Sequence, residues 1–126
     1  LCGGGIRSDT IHEKGPVSYK DILDLAPFQD PIIIKRVRGK NLVQAIKHSV
    51  HNLPKLDGRF AHVSGLRYVY DSRKKPEDRL VDIKVNVYAE DEEKEQLFVE
   101  VDEDAFYTVA SREYTMNGGD GFECLK

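Results

Sequence analysis

The order of its local signals assigns this chain to the α+β class, with a mixed β-sheet and helices packed against it. Helical patterns come early, around residues 19–26 and 42–53. Alternating patterns come late, most cleanly where Val81, Ile83, Val85 and Val87 are separated by Asp82, Lys84 and Asn86. The strict strand–helix–strand alternation of a parallel, doubly wound sheet is missing. A chain of 126 residues, 40% of them hydrophobic, suits one domain spanning residues 1–126 around a single modest core.

Each element has its own signal. Gly3-Gly4-Gly5 is too glycine-rich for regular structure and reads as a loop after an upstream strand. Pro16 halts the chain, and Ser18 is a candidate N-cap for a short helix over residues 19–26. Ile22, Leu23, Leu25 and Ala26 give that helix one apolar side, and Pro27 ends it, because a residue before proline avoids the α region. The β-branched run from Pro31-Ile32-Ile33-Ile34 to Val37 predicts a buried strand. Gly39 predicts a turn. Leu42, Ile46, Val50 and Leu53 recur at helical spacing, and Pro54 closes that helix. Leu66, Tyr68 and Tyr70 then alternate with Arg67 and Val69, and residues 71–78 form a polar turn containing Pro76. After the Val81–Val87 strand, the acidic run 89–96 reads as an exposed hairpin loop. A last strand over 105–110 leads to Tyr114 and a glycine loop.

The formal net charge of −3 argues against nonspecific binding to nucleic acid or anionic membranes. No apolar run approaches the roughly 20 residues that span a bilayer. The chain opens on Leu1-Cys2, inside a motif, and is expected to be a piece of a longer protein. The lack of a signal peptide therefore says nothing about compartment. Cys2 and Cys124 lie at opposite ends; unpaired thiols are the primary expectation, with a disulfide between them as the alternative.

Two glycine-rich segments carry the chemical interest. In Gly118-Gly119-Asp120-Gly121, glycines around an Asp predict a tight turn that presents the carboxylate outward. A carboxylate accepts two hydroxyl hydrogen bonds at once, as a ribose 2′,3′-diol requires. The same residues also fit a hairpin turn with no ligand. Arg7 follows the Gly3-Gly4-Gly5 loop, where a guanidinium can hold a phosphate or carboxylate through two parallel bonds; a surface arginine after a flexible turn is the alternative. Phe28 at a helix end and Tyr114 before the glycine loop could sandwich a flat base, or be ordinary rim aromatics. His48 and His51, at i and i+3 on the second helix, have spacing suited to a metal, but no third ligand is evident nearby. His12 and His62 are isolated. Asp-x-His, Gly-Asn-His and Gly-His-x-His motifs are absent, and two-metal phosphoester hydrolysis needs several such ligands to activate water. No metal site, cofactor or catalytic residue is expected within this chain, and the chain alone is expected to be inactive.

Taken in order, Cys2-Gly3-Gly4-Gly5-Ile6-Arg7, Leu25-Ala26-Pro27-Phe28, Val37-Arg38-Gly39-Lys40-Asn41-Leu42, Val63-Ser64-Gly65-Leu66-Arg67-Tyr68-Val69-Tyr70-Asp71 and Tyr114-Thr115-Met116-Asn117-Gly118-Gly119-Asp120-Gly121-Phe122 resemble five motifs of the C-terminal substrate-binding domain of the 5′-nucleotidase family. The resemblance covers essentially the whole chain. It implies that Phe28 and Tyr114 stack the base of a nucleotide, that Asp120 in its Gly118-Gly119 loop holds the ribose, and that Arg7 takes the polar or phosphate part. It also implies an N-terminal metallophosphoesterase domain holding two divalent metal ions, domain closure, and an extracellular, periplasmic or cell-surface location. A parent that binds nucleotide or nucleoside without turnover is the alternative. One position departs from the pattern: Cys2 stands where the family has Asn. A thiol is a far weaker hydrogen-bonding group than an amide, so the resemblance implies poor discrimination among bases, or a preference for ligands recognised mainly through ribose and phosphate.

Overall fold

The computed structural model describes residues 4–7, 14–55, 57–87 and 97–126. Cys2 and the acidic run 89–96 lie outside the described residues. The fold is α+β, as the order of patterns predicts. Helix α1, Tyr19–Leu25, starts at Ser18 with a full capping box: the Asp21 backbone N–H donates to Ser18 Oγ (3.3 Å) and the Ser18 backbone N–H donates to Asp21 Oδ2 (2.7 Å). It stops before Pro27. Its apolar side is not packed away, however, because no residue of α1 is buried.

Strand β1, Ile32–Arg38, pairs antiparallel with β5, Phe106–Arg112, in a register running from Ile32 opposite Arg112 to Arg38 opposite Phe106. The expectation of a buried β1 holds for one face only. Ile33, Lys35 and Val37 turn inward while Ile32 and Ile34 stay exposed, the alternation of a half-covered ribbon. The second sheet runs β2 (Leu66–Tyr70), β3 (Leu80–Val87), β4 (Leu97–Glu100) in spatial order, with both pairings antiparallel. Strand β4 has no signal of its own beyond three apolar residues and is found only by its pairing with β3.

Between the first two strands, Gly39 does not turn the chain; it opens helix α2, Gly39–Val50. Glycine is needed there for close approach, since a Cβ would collide with the backbone carbonyl of Asp102, and the Gly39 N–H donates to Ala105 O at 2.9 Å. Leu42, Val43, Ala45, Ile46 and Val50 form the buried stripe of α2. The buried Arg79 guanidinium donates to the carbonyls of Val50 and His51 at the end of α2, where a cation also complements the helix dipole. Val37, Leu42, Ala45, Val85, Val109, Met116, Phe122 and Leu125 make the core, which joins both sheets, α2 and the C-terminal turns. No helix among the described residues is long and apolar enough to cross a membrane.

Candidate functional site

Strand β5 ends at Arg112, and its chain continues into a one-turn helix α3, Glu113–Met116, that the sequence patterns did not predict. Glu113 N–H donates to Pro31 O (2.8 Å), which ties the start of α3 to the entry of β1. Lys35, inward on β1, donates from Nζ to Met116 O (2.7 Å) and Leu125 O (3.2 Å), satisfying carbonyls that the short helices leave open. Between those anchors the glycine loop takes the expected positive-φ form. Gly118 has φ 87°, Asp120 φ 52° and Gly121 φ 84°. Asp is among the few side chains that enter this region at modest cost.

Three contacts lock that loop. The Tyr114 hydroxyl donates to Asp120 Oδ1 (3.1 Å) and accepts from the Asp120 N–H (3.2 Å). Gly119 lies flat against the Tyr114 ring, where any Cβ would collide with it. His48 of α2 reaches the loop from beneath, its Nε2 at 2.8 Å from Asp120 O. A carbonyl only accepts, so Nε2 carries the proton. The His48 ring also meets the buried Phe122 edge-on, with centroids 4.9 Å apart. Sequence reading offered His48 only as half of a metal pair. Among the described residues no three His, Cys, Asp or Glu side chains group as metal ligands, and His48 serves as a prop for the Asp120 turn. Cys124, at the end of the same region, is a free thiol whose ionisation burial pushes up.

The opposite wall comes from the first thirty residues. Arg7 N–H donates to Leu25 O (2.8 Å), and its guanidinium lies over the Phe28 ring, 5.0 Å from the centroid. Gly4 N–H donates to Gly58 O (2.6 Å), and the two backbones are so close that a Cβ on Gly4 would meet Gly58 Cα at 2.8 Å. Gly58 sits in a turn organised by Asp57, whose carboxylate accepts from Arg59 N–H (3.0 Å), Arg59 Nε (3.0 Å) and Asn52 Nδ2 (2.7 Å). The Arg59 backbone N–H, then the Asn52 amide, hold the Asp57 carboxyl down to about 2, from an ordinary 3.8.

Between the walls lies an open cleft of about 700 Å³ lined by Gly4, Arg7, Pro27, Phe28, Gln29, Asp30, Gly58, Arg112, Tyr114 and Asp120. Four of the residues singled out from the sequence, Arg7, Phe28, Tyr114 and Asp120, therefore share one cleft although they come from three separate segments. Phe28 and Tyr114 are 52% and 50% exposed and make no ring contact with each other. Gly118 and Gly119 shape the loop from behind and do not line the cleft. Asp30 and Arg112 are additions that sequence reading missed. Asp30 accepts the Tyr114 N–H on both carboxylate oxygens, at 3.1 and 3.2 Å. Its one available signal is its place two residues after Phe28.

An open cleft lined by two aromatics, with a carboxylate beside one ring and guanidinium groups nearby, is suited to a polar ligand with a planar part. Comparison with known proteins shows the family. The family model described as 5′-nucleotidase, C-terminal domain, matches residues 1–126. The chain is 34% identical over 126 residues to the 5′-nucleotidase of Rattus norvegicus, covering 98% of this chain and 21% of that protein. It is 34% identical over 133 residues to the 5′-nucleotidase of Homo sapiens, covering 100% and 22% respectively. The crystal structure of a 5′-nucleotidase precursor from Thermus thermophilus superposes with a TM-score of 0.78 at 32% identity, over 97% of this chain and 22% of that one. The chain thus spans about a fifth of the length of these relatives. On its fold and on a match that runs from the first residue to the last, the chain belongs to the 5′-nucleotidase C-terminal domain family.

Proposed function

We propose that this domain is the substrate-binding part of a hydrolase that cleaves nucleotide phosphoesters, with the water-activating chemistry supplied elsewhere. The observation that carries the reading is the convergence of Arg7, Phe28, Tyr114 and Asp120 on one cleft. The base stacks between Phe28 and Tyr114. Such stacking is worth roughly 1–3 kcal/mol per base and is indifferent to base identity. Asp120 accepts the ribose hydroxyls. Its bond from the Tyr114 hydroxyl uses one of about four lone-pair sites, so enough remain for the two hydroxyls of a diol. Gly118 and Gly119 keep the loop thin enough for Asp120 to stand beside the Tyr114 ring. Arg7 leaves its place over Phe28 to take the phosphate or other polar part, and Cys2 belongs to the same glycine segment. In this reading, an N-terminal metallophosphoesterase domain of the same protein holds two divalent metal ions and receives the phosphate end, in an extracellular, periplasmic or cell-surface setting.

The test is steady-state hydrolysis of nucleoside monophosphates by the intact protein. Tyr114→Ala is expected to lower kcat/KM by about 5- to 150-fold, the factor that corresponds to one lost stacking face of roughly 1–3 kcal/mol. Residues 1–126 alone, given zinc, manganese or cobalt, should turn nothing over. Unchanged kcat/KM in the Tyr114 variant, or metal-dependent turnover by the isolated domain, would defeat the proposal.

A further inference from the structure

A second arginine stands in the cleft without a task. Arg112 is the last residue of β5, and its Nε is buried with no hydrogen-bond partner. Arginine keeps its charge in proteins, so an unmet N–H of this group is costly, and the side chain that carries it lines the open cleft. Its guanidinium lies against the Gly5 backbone, where a Cβ would collide with Nη1. The obvious carboxylate does not take it: among the described residues Asp30 and Arg112 form no ion pair, and Asp30 accepts from the Tyr114 N–H.

The Tyr114 side chain gives the cleft a direction. Asp120 is bonded to the hydroxyl end of the ring. Asp30 is bonded to the backbone end, and Arg112 joins the chain two residues before it. A base stacked on Tyr114 with its ribose at Asp120 therefore extends its far edge toward Asp30 and Arg112. A phosphate placed there would face the Asp30 carboxylate, so the base edge is the better fit.

We infer that Arg112 is a specificity-determining residue that reads the far edge of a purine and, with Asp30, selects guanine over adenine nucleotides. The inference rests on the nucleotide reading of the cleft. Guanine presents O6 and N7 as adjacent acceptors, which one guanidinium takes through two parallel bonds. Adenine puts an amino group at that place, so donor faces donor. The Asp30 carboxylate only accepts, and guanine offers it N1–H and the 2-amino group. Cys2 implied poor base discrimination; Arg112 supplies the base contact that a thiol cannot.

The experiment compares kcat/KM for GMP, IMP and AMP in the intact protein and in Arg112→Met. GMP is expected to exceed AMP by about tenfold or more in the unmodified protein, the scale of one bidentate contact. IMP, which keeps O6 and N7 but lacks the 2-amino group, should fall between them. In Arg112→Met the GMP-to-AMP ratio should drop to near one through loss on GMP. Arg112→Lys should recover only part of it, because an ammonium has no planar fork. A purely structural role would depress both nucleotides together and leave the ratio intact. A ratio near one in the unmodified protein, a measurement that needs no variant to fold, overturns the inference, as does a high ratio surviving in Arg112→Met. Either result leaves the nucleotide reading standing. That reading fails separately if Tyr114→Ala leaves both nucleotides unaffected.

Discussion

Tyr114 and Asp120 stand on the hydrophobic core, whereas Phe28 and Arg7 hang from a helix that buries none of its residues. The first wall is held by His48 from α2, by Lys35 from β1 and by Phe122, which is 2% exposed. The second is held by lighter devices: the Ser18 capping box, backbone bonds from Arg7 to Leu25 and from Gly4 to Gly58, and a cation over a ring. Both walls present one aromatic to the cleft. What differs is the energy that keeps each ring in place. Tyr114 is itself half exposed, but the loop it locks sits on the buried Phe122, while the second wall rests on a few hydrogen bonds, each worth about 1 kcal/mol. Such a pairing sets a firmly seated aromatic wall opposite one held by fewer contacts.

The largest test of this contrast is Phe122→Ala. Removing a buried phenyl ring should cost about 3–5 kcal/mol, through lost transfer free energy and a cavity under the Asp120 loop. Urea unfolding measures it. A loss below about 1 kcal/mol would mean that the first wall does not depend on the core. Ser18→Ala probes the other wall. Loss of an N-cap costs about 1 kcal/mol, and α1 buries nothing that would spread the damage. Amide exchange should quicken in α1 and stay unchanged in α2. Equal loss of protection in both helices would make the two walls one cooperative unit. The smallest effect is acid loosening of the Asp57 turn, which seats Gly58 under Gly4. The folded-state carboxyl of Asp57, at about 2, lies below its ordinary 3.8, so the stability it contributes is complete above about pH 4 and is lost as pH falls toward 2. Asp71, also held at about 2 by Arg73, titrates in the same window. Asp57→Asn isolates one of the two: its unfolding free energy should fall less steeply between pH 4 and 2 than that of the parent chain. Identical slopes would show that the turn carries no linkage.

Much of the cleft was legible in the sequence because its parts are local chemistry. Ser18 ahead of Tyr19, Pro27 after Ala26, and glycines around Asp120 each state a backbone conformation within a few residues. The missed features need information from far along the chain. His48 is 72 residues from the carbonyl it meets, and Lys35 is 81 and 90 from its two acceptors. Asp30 reaches Tyr114 across 84 residues. Strand β4 exists because β3 offers it an edge, and Gly39 opens a helix rather than turning because Asp102 packs against it.

By itself, then, the sequence determined the α+β class, the caps, the amphipathic face of α2, the positive-φ turn at Asp120 and the types of side chain offered to a ligand. Those follow from steric limits and periodicities that act over one or two turns of chain. The tertiary structure alone decided that Arg7, Phe28, Tyr114 and Asp120 meet in one cleft, that α1 stays exposed, and that Arg112 ends there with Nε unpaired. Burial and pairing across dozens of residues are settled by which surfaces the whole chain can cover at once, a competition that no local pattern encodes.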